Sequence, residues 1–267
     1  MCAAQIDLET ASMDLHSGLY GGAVPNAAHA MVELLGTLRS PDGTIAVEAF
    51  YDQVVHLTRK ERDAIKEVPF DAGAYQQSIG IDALVGEPGY STYERAWCRP
   101  TLEVNGIWGG YQGDGVKTVI PAKAHAKITC RLVADQDPDK ILDCIESHVK
   151  KHTPDGARVT FTRFGAKSRA YQMPIDHPGV QAVATVLEEN YQKPPYFVRI
   201  GGSLPITDMF LQELNAYTVM VGFGLDDECV HSPNEFMRLA SFERGQVVYA
   251  LLLERLASIP SGTMGAK

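Results

Sequence analysis

A histidine in an acidic loop is the residue whose type and setting point most directly to metal chemistry. His231 follows the apolar run from Tyr217 to Phe223 through the loop Gly224-Leu-Asp-Asp-Glu-Cys-Val230. An apolar run of this length predicts a buried strand, and binding sites in α/β folds lie beyond the carboxyl ends of strands. The segment Ser232-Pro-Asn-Glu235 has capping-box spacing with Pro at the first helical position. One imidazole does not hold a catalytic metal alone, so the segment by itself favours a half-exposed loop histidine.

Three further stretches carry groups that bind or polarise substrates. His16 leaves a predicted strand into the glycine-rich turn Ser17-Gly-Leu-Tyr-Gly-Gly22. Arg131 lies on the polar face of another predicted strand, where a guanidinium grips a carboxylate with two parallel hydrogen bonds. Gly201-Gly202-Ser203 precedes a predicted helix, whose N–H groups and dipole favour an anion. The simpler interpretations are a solvated histidine, a surface ion pair and a turn that binds nothing.

The elements before residue 165 predict one antiparallel sheet covered on one face by two helices. Alternating apolar residues predict the strands, and apolar residues spaced three or four apart predict the helices. In order they are a strand at 4–12, a helix at 25–39, strands at 101–105 and 117–134, a helix at 138–152 and a strand containing Val159 and Phe161. This β-α-β-β-α-β order is that of a ferredoxin-like sandwich. Residues 40–98 are predicted as an insertion with one short helix at the capping-box match Thr58-Arg-Lys-Glu61.

The remaining residues predict a second unit of α/β type, which gives domains at 1–168 and 169–267. Helices are predicted at 178–191, 204–214 and 240–257, and buried strands at 196–200 and 217–223. Two strands are too few for a sheet with helices on both faces, so this unit is predicted to be incomplete. The overall fold class is therefore α/β (α+β), with an inserted ferredoxin-like domain.

The composition excludes several classes of protein. Twenty-four Lys and Arg against 33 Asp and Glu give a net charge of −9, which argues against nucleic acid, including RNA bound on the β-α-β-β-α-β sheet. The sequence predicts neither a membrane span nor a signal peptide. The five scattered cysteines predict reduced thiols and a cytoplasmic protein.

Five motifs in a fixed order resemble the carnosinase-like branch of the dinuclear zinc aminopeptidase and aminoacylase family, which also holds succinyl-diaminopimelate desuccinylase and carboxypeptidase G. They span nearly the whole chain. The motifs are Leu15-His-Ser-Gly-Leu-Tyr-Gly-Gly22, Lys117-Thr-Val-Ile-Pro121, Arg131-Leu-Val133, Gly201-Gly-Ser-Leu-Pro205 and His231-Ser-Pro-Asn-Glu235. The resemblance implies a lid and dimerisation domain, inserted into a zinc-binding α/β catalytic domain of which the second unit is the C-terminal part.

The resemblance also assigns roles to residues of this chain. His16 is similar to the lid histidine that enters the neighbouring subunit's site and polarises the scissile carbonyl. Thr118 is similar to a lid residue that contacts substrate, and Arg131 to the one that holds the substrate's terminal carboxylate. The turn of Gly201, Gly202 and Ser203 completes that anion pocket. His231 is similar to the last zinc ligand.

The expected function is a zinc-dependent dipeptidase acting on dipeptides or N-acyl amino acids, with two Zn²⁺ per site, Mn²⁺ as the alternative metal, and a homodimer formed through the lid. The family's His-x-Asp motif does not occur in this sequence, and Glu188-Glu189 falls after the lid, where that family has no catalytic glutamates. We therefore expect a chain that lacks the N-terminal catalytic half and is inactive alone. The alternative is a non-catalytic dimerisation or peptide-binding module.

Overall fold

A computed structural model describes residues 1–201, 204–225 and 227–260. In these ranges the elements are, in chain order, β1 (Cys2–Glu9), β2 (Leu15–His16), α1 (Ser17–Tyr20), α2 (Ala27–Gly36), α3 (Arg59–Glu67), α4 (Ala72–Ile79), α5 (Thr92–Cys98), β3 (Thr101–Gly109), β4 (Val119–Ile120), β5 (Lys123–Arg131), α6 (Pro138–Lys151), β6 (Arg158–Arg163), α7 (Pro178–Tyr191), α8 (Pro205–Leu214) and α9 (Leu239–Ala257). Among these helices we find none long and apolar enough to cross a membrane.

The chain forms two compact units. The first comprises Met1–Ala170 together with a short segment that begins at Val198. The second comprises Tyr171–Phe197 and the chain from Leu204 onward.

The first unit is built on a four-stranded antiparallel sheet in the order β3-β5-β1-β6. This is the strand order of the predicted ferredoxin-like sandwich. Every second residue of β1 is buried, which confirms the predicted alternation: Cys2, Ala4, Ile6 and Leu8. The predicted long strand at 117–134 is wrong in one respect, because Pro121 lies between β4 and β5 and divides it. Proline has no N–H to donate to a strand ladder.

Two helices cover one face of this sheet. In α6, Ile141, Ile145 and Val149 are buried as predicted. α2 is shorter than the predicted helix, because its cap is the Asn26 side chain, which accepts the N–H groups of Ala28 and His29. Its buried residues are Ala27, Ala30, Met31 and Leu34, and Leu38 just beyond the helix is buried as well. Both helices therefore pack their apolar stripes on the alternating apolar residues of the sheet.

One irregularity interrupts the ladder between β3 and β5. Val104 pairs with Ile128, but Gly106 pairs with Lys127, so one extra residue lies in β3. A bulge of this kind reverses the faces to which the following side chains point. After the bulge, Trp108 lies opposite His125, on the face without helices.

The insertion at 40–98 contains three helices instead of the predicted one. The capping box of Thr58 and Glu61 starts α3, as predicted. A second capping box, of Ser91 and Glu94, starts α5, and an aspartate caps α4. Arg62 joins the two boxes by donating to Glu94 over 2.6 Å, and the Glu94 side chain is only 3% exposed. The insertion helices α3 and α5 are thus joined by an ion pair whose carboxylate is nearly buried.

The second unit confirms the three predicted helices but not the two predicted strands. Residues 196–200 and 217–223 are irregular chain. The hydroxyl of Tyr171 does for Thr218 what a neighbouring strand would do, because it accepts the Thr218 N–H over 2.7 Å and donates to the Thr218 carbonyl over 2.9 Å. Periodicity predicts an extended segment but not whether a strand lies beside it.

Candidate functional site

His16 and Thr118 lie together on a small two-stranded ribbon. β2 pairs with β4, His16 lies opposite Val119, and the Ser17 N–H donates to the Thr118 carbonyl over 3.0 Å. Both side chains belong to exposed residues. More than a hundred residues of sequence separate them, so the structure supplies this proximity.

The ring of His16 is held in one tautomer. Its Nδ1 accepts the Gly18 N–H over 3.0 Å, so in the neutral ring the proton resides on Nε2. The Gly18 position is close to the ring, because a Cβ there would lie 2.9 Å from its Cε1 atom. The imidazole is therefore oriented to offer an N–H donor, which suits it to polarise a carbonyl oxygen.

Arg131 lies at the opposite end of the sheet from His16 and Thr118. It is the last residue of β5, opposite Thr101, and is exposed on the polar face, as predicted. β4 leads into the other end of β5 at Lys123. Eight residues of strand place the two ends about 26 Å apart. The structure therefore does not bring Arg131 to His16 within one chain.

Gly201 packs against α5, the helix that leads into the strand end opposite Arg131. A Cβ on Gly201 would be 2.7 Å from the carbonyl oxygen of Ala96, so the backbone passes directly against α5. Three residues after the end of α5, Thr101 begins β3 opposite Arg131. The other members of the predicted anion pocket, Gly202 and Ser203, lie outside the described residues.

His231 is exposed in the second unit, in a turn instead of ahead of a helix. Its φ is 60°, and its N–H donates to the Glu235 carboxylate over 3.4 Å. Residues 231–234 form the turn, so the predicted helix start there is wrong. The reason is that the Glu235 carboxylate reaches the N–H of His231 instead of that of Ser232, the predicted cap residue.

Two of the acidic residues before His231 are already engaged by Arg238. Arg238 donates to Asp227 over 2.6 Å and to Glu228 over 3.1 Å. These hydrogen bonds lower the pKa of Asp227, and the N–H of Leu225 followed by Arg238 lowers the pKa of Glu228. Within the described residues, no group of three or more His, Cys, Asp or Glu side chains is placed to hold a metal ion. The described donor set therefore does not fit a metal centre on its own.

Two other pairs of potential metal-binding side chains, His148 with His152 and Glu188 with Glu189, have structural contacts. His148 is buried, its Nε2 lies 2.9 Å from the Thr37 hydroxyl, and its ring stacks on that of His152. Burial, and then the neighbouring His152, lowers the pKa of His148. Glu189 accepts a hydrogen bond from Arg255 over 2.9 Å. Both pairs therefore have structural contacts that require no metal.

Sequence reasoning missed a polar cluster on the open face of the sheet. His125 Nδ1 lies 2.6 Å from the Asp7 carboxylate, and the ring of Trp108 stacks on the imidazole with centroids 5.1 Å apart. Lys127 lies 5.5 Å from the Trp108 ring centroid. A shallow hollow of about 450 Å³ adjoins the cluster and includes Asp14 in its wall. The available signal was that Asp7 and His125 both occupy polar-face positions of their strands.

Comparison with known proteins gives consistent matches. The family described as the peptidase dimerisation domain, M20_dimer, matches residues 3–157. The Cys-Gly metallodipeptidase dug1 of Schizosaccharomyces pombe is 30% identical over 262 residues, or 97% of this chain and 55% of that protein. The human Beta-Ala-His dipeptidase is 26% identical and covers 95% of this chain and 50% of its own length. The solved structure of the dipeptidase Dug1p from Saccharomyces cerevisiae has a TM-score of 0.82 at 26% identity, over 97% of this chain and 55% of that one.

The chain thus spans about half the length of the curated relatives that it matches. The dimerisation-domain match covers most of the first unit, whose sheet has the predicted ferredoxin-like order. The similarity of the solved structure extends over both units and confirms the predicted fold class. The chain therefore belongs to the M20 peptidase family and carries the peptidase dimerisation domain of that family at residues 3–157.

Proposed function

We propose that this chain is the dimerising and substrate-binding part of a metal-dependent dipeptidase that acts on dipeptides or N-acyl amino acids. Its relatives are named for the hydrolysis of Cys-Gly and Beta-Ala-His dipeptides. The proposed arrangement assigns residues 1–168 to a lid and dimerisation domain and residues 169–267 to the C-terminal part of the catalytic domain. We infer a cytoplasmic location from the reduced cysteines.

The separation of the two ends of β5 carries this proposal. His16 and Thr118 lie at one end, and Arg131 lies at the other, about 26 Å away. An extended dipeptide is about 7 Å long, so one substrate cannot contact both ends of the same chain. A homodimer resolves this mismatch if the His16 end of one subunit enters the site that contains the Arg131 end of its partner.

In such a shared site each group has a distinct role. The Nε2–H of His16 donates to the scissile carbonyl oxygen and stabilises the negative charge that develops there. Arg131 holds the terminal carboxylate with two hydrogen bonds, and the backbone of Gly201, Gly202 and Ser203 completes that pocket. Thr118 contacts the substrate beside His16. Removing a single donor to an oxyanion costs about 100- to 1,000-fold in kcat.

For the metal, the proposal is zinc, two ions per site, with manganese as the alternative and His231 as the ligand from this chain. The described donors around His231 do not form a set of three, so this chain would supply one ligand and would need others to hold the metal. We propose that the other ligands and the general base belong to a further catalytic segment. The 267-residue chain alone then binds zinc weakly and hydrolyses no dipeptide.

Complementation between variants tests the shared site. The chain is co-expressed with an amino-terminal catalytic segment that contains His-x-Asp and Glu-Glu. Three samples are compared: the His16→Ala variant, the Arg131→Ala variant and an equal mixture of the two. Each variant alone is expected to be inactive on Cys-Gly. The mixture should recover about one quarter of wild-type activity, because half of the dimers are mixed and each mixed dimer has one intact site. Failure of the mixture to recover activity, with mixed dimers present, rules out the shared site.

The rival is a non-catalytic dimerisation or peptide-binding module. One observation favours it: in the described part of the chain, fewer than three side chains that could bind a metal ion lie together around His231. Zinc titration with and without the catalytic segment separates the two proposals. Stoichiometric zinc binding that appears only with the segment supports the enzyme, whereas a stable dimer that the segment leaves unchanged supports the module.

A further inference from the structure

The chain around Gly201 belongs to a different unit from the residues on either side of it. Phe197 and Leu204 are part of the second unit, but the segment from Val198 to Gly201 groups with the first unit. This anchored segment, residues 198–201, leads directly into the turn proposed to hold the substrate carboxylate. The contacts that fix it therefore bear on that turn.

An ion pair to the insertion helices holds the anchored segment. The Arg199 guanidinium donates to Glu61 Oε1 over 2.5 Å and reaches Cys98 Sγ at 3.7 Å. The two charged side chains are 34% and 35% exposed, which shelters them more than an ordinary surface pair. Arg199 thus contacts both α3 and α5.

The capping box of α3 orients the Glu61 side chain independently of Arg199. The other Glu61 oxygen, Oε2, accepts the Thr58 N–H and the Thr58 hydroxyl, each over 2.8 Å, as part of the capping box of α3. Burial opposes ionisation of this carboxyl, but the hydrogen bonds from Thr58 and the ion pair with Arg199 together lower its pKa. The carboxylate therefore needs little reordering to bind the guanidinium, which favours a defined geometry.

A close backbone contact holds the other end of the segment. The carbonyl oxygen of Ala96 would lie 2.7 Å from a Cβ on Gly201, so a side chain at this position requires the segment to move. Arg199 and Gly201 are two residues apart and both contact α5 or its last residue. Two fixed points this close leave the intervening backbone little freedom.

We propose that Glu61 and Arg199 are positioning residues that seat the backbone of Gly201 on the insertion helices and so set the affinity for the substrate carboxylate without contacting the substrate. The inference rests on the proposed function, because it concerns the same carboxylate pocket. It assigns the insertion at residues 40–98 a role in substrate recognition. Residues 61 and 199 then act through the backbone of residue 201.

Thiol labelling of Cys98 measures whether the segment is seated, independently of any catalysis. Cys98 is 5% exposed beside Arg199, whereas Cys229 is exposed and serves as the internal reference. Burial raises the pKa of Cys98 and the Arg199 charge partly counters this, so loss of that charge alone would slow the reaction. Faster labelling therefore reports greater access.

The variants are Glu61→Gln, Arg199→Gln, their double variant and Arg199→Lys, with Asp63→Asn on the same helix as the matched control. Glutamine preserves a capping box, so Glu61→Gln removes the charge but leaves α3 intact. We expect iodoacetamide to label Cys98 about fivefold faster in each glutamine variant and no faster in the double variant than in the singles. Arg199→Lys should restore slow labelling in part. Wild-type labelling rates in both single variants overturn the anchor.

Peptide binding tests the consequence for recognition in the complex with the catalytic segment. Glycylglycine has the free carboxylate and glycylglycinamide lacks it, so the ratio of their dissociation constants isolates carboxylate recognition. We expect the glutamine variants to weaken glycylglycine binding by about fivefold and to leave the amide unchanged. Equal weakening of both ligands overturns the positioning role. If the wild type does not distinguish the two ligands, the proposed function fails, while Cys98 labelling still decides the anchor.

Discussion

The two units of this chain differ in how completely they bury their own apolar residues. In the first unit, Ile6, Leu34 and Ile145 have no exposed surface, and they belong to one continuous core of sheet and helices. In the described part of the second, the buried cluster consists of Ala182, Val183 and Leu252, each 6–8% exposed, and Val186 and Val248 are buried as well. The sheet closes its core because each strand contributes alternate residues and two helices cover them.

The second unit instead leaves large apolar side chains in solvent. Leu214, Leu239 and Leu253 are 66%, 79% and 69% exposed, and Phe242 is 53% exposed. Amphipathic helices alone therefore do not form a closed core when the extended segments beside them make no strand pairing. We therefore expect the first unit to contain most of the stability of the chain.

A matched pair of core truncations should give the largest difference between the units. Leu142→Ala in the first unit should cost about 4 kcal/mol of unfolding free energy, and Leu252→Ala in the second about 2 kcal/mol, because the second site is less enclosed. Both tryptophans, Trp97 and Trp108, lie in the first unit, so fluorescence in urea reports that unit. Circular dichroism reports the helices of both. A shift of the fluorescence midpoint by Leu252→Ala would contradict the independence of the two cores.

Acid should destabilise the insertion of the first unit through Glu94. The hydrogen bond from Arg62 and that from the Ser91 N–H lower the pKa of Glu94 to about 2, against the effect of burial. Because the folded pKa lies below the unfolded one, the contribution is complete above about pH 4.5 and disappears as the pH falls towards 2. It amounts to at most about 3 kcal/mol. The loss of unfolding free energy between pH 5 and 2.5 should therefore be smaller in Glu94→Gln than in the wild type, and equal losses would refute the ion pair.

Removing one hydroxyl should destabilise the second unit where a strand partner is lacking. Tyr171→Phe leaves the N–H and carbonyl of Thr218 without the hydroxyl that serves both. We expect a cost of about 1–2 kcal/mol, measured as a lower thermal midpoint of the circular dichroism transition. Tyr196→Phe is the control, since Tyr196 is 54% exposed. Equal midpoints for the two variants would indicate that other groups pair with Thr218.

The open face of the sheet should tolerate charge loss best. Asp7→Asn weakens the pair with His125, whose side chains are 26% and 27% exposed, and should cost less than about 1 kcal/mol at pH 7. Glu9→Gln, beside the more exposed Lys123, should cost less still. Urea midpoints measure both, and a cost for Asp7→Asn as large as that for Leu252→Ala would place this cluster with the core.

The elements of the first unit could be predicted from sequence because alternation and capping are local signals. β1 and α6 show them clearly, and Ser91 and Glu94 have the same capping-box spacing in the sequence as Thr58 and Glu61. The break at Pro121 was also visible. The bulge after Val104 was not, since one extra residue in a strand leaves no separate local mark.

The order of the motifs along the sequence predicted which residues belong to the candidate site, but it did not predict where those residues lie relative to one another. The motif order links His16, Thr118 and Arg131, yet only strand pairing reveals that two of them share a ribbon and the third lies at the far end of the sheet. The contact between Arg199 and Glu61 joins residues 138 positions apart. No periodicity relates such positions, because each contact depends on how whole elements pack.

The extra residue in β3 determines which surface of the sheet carries an indole. Residues four apart in a regular strand point to the same face, but here Val104 lies opposite Ile128, on the helix-covered face, and Trp108 lies opposite His125, on the open face. If Asn105 instead paired with Lys127, the register would continue so that Trp108 lay opposite Ala124, beneath the helices, and Ile107 lay opposite His125. The aromatic character of the open surface is in this sense governed by strand register as much as by residue type.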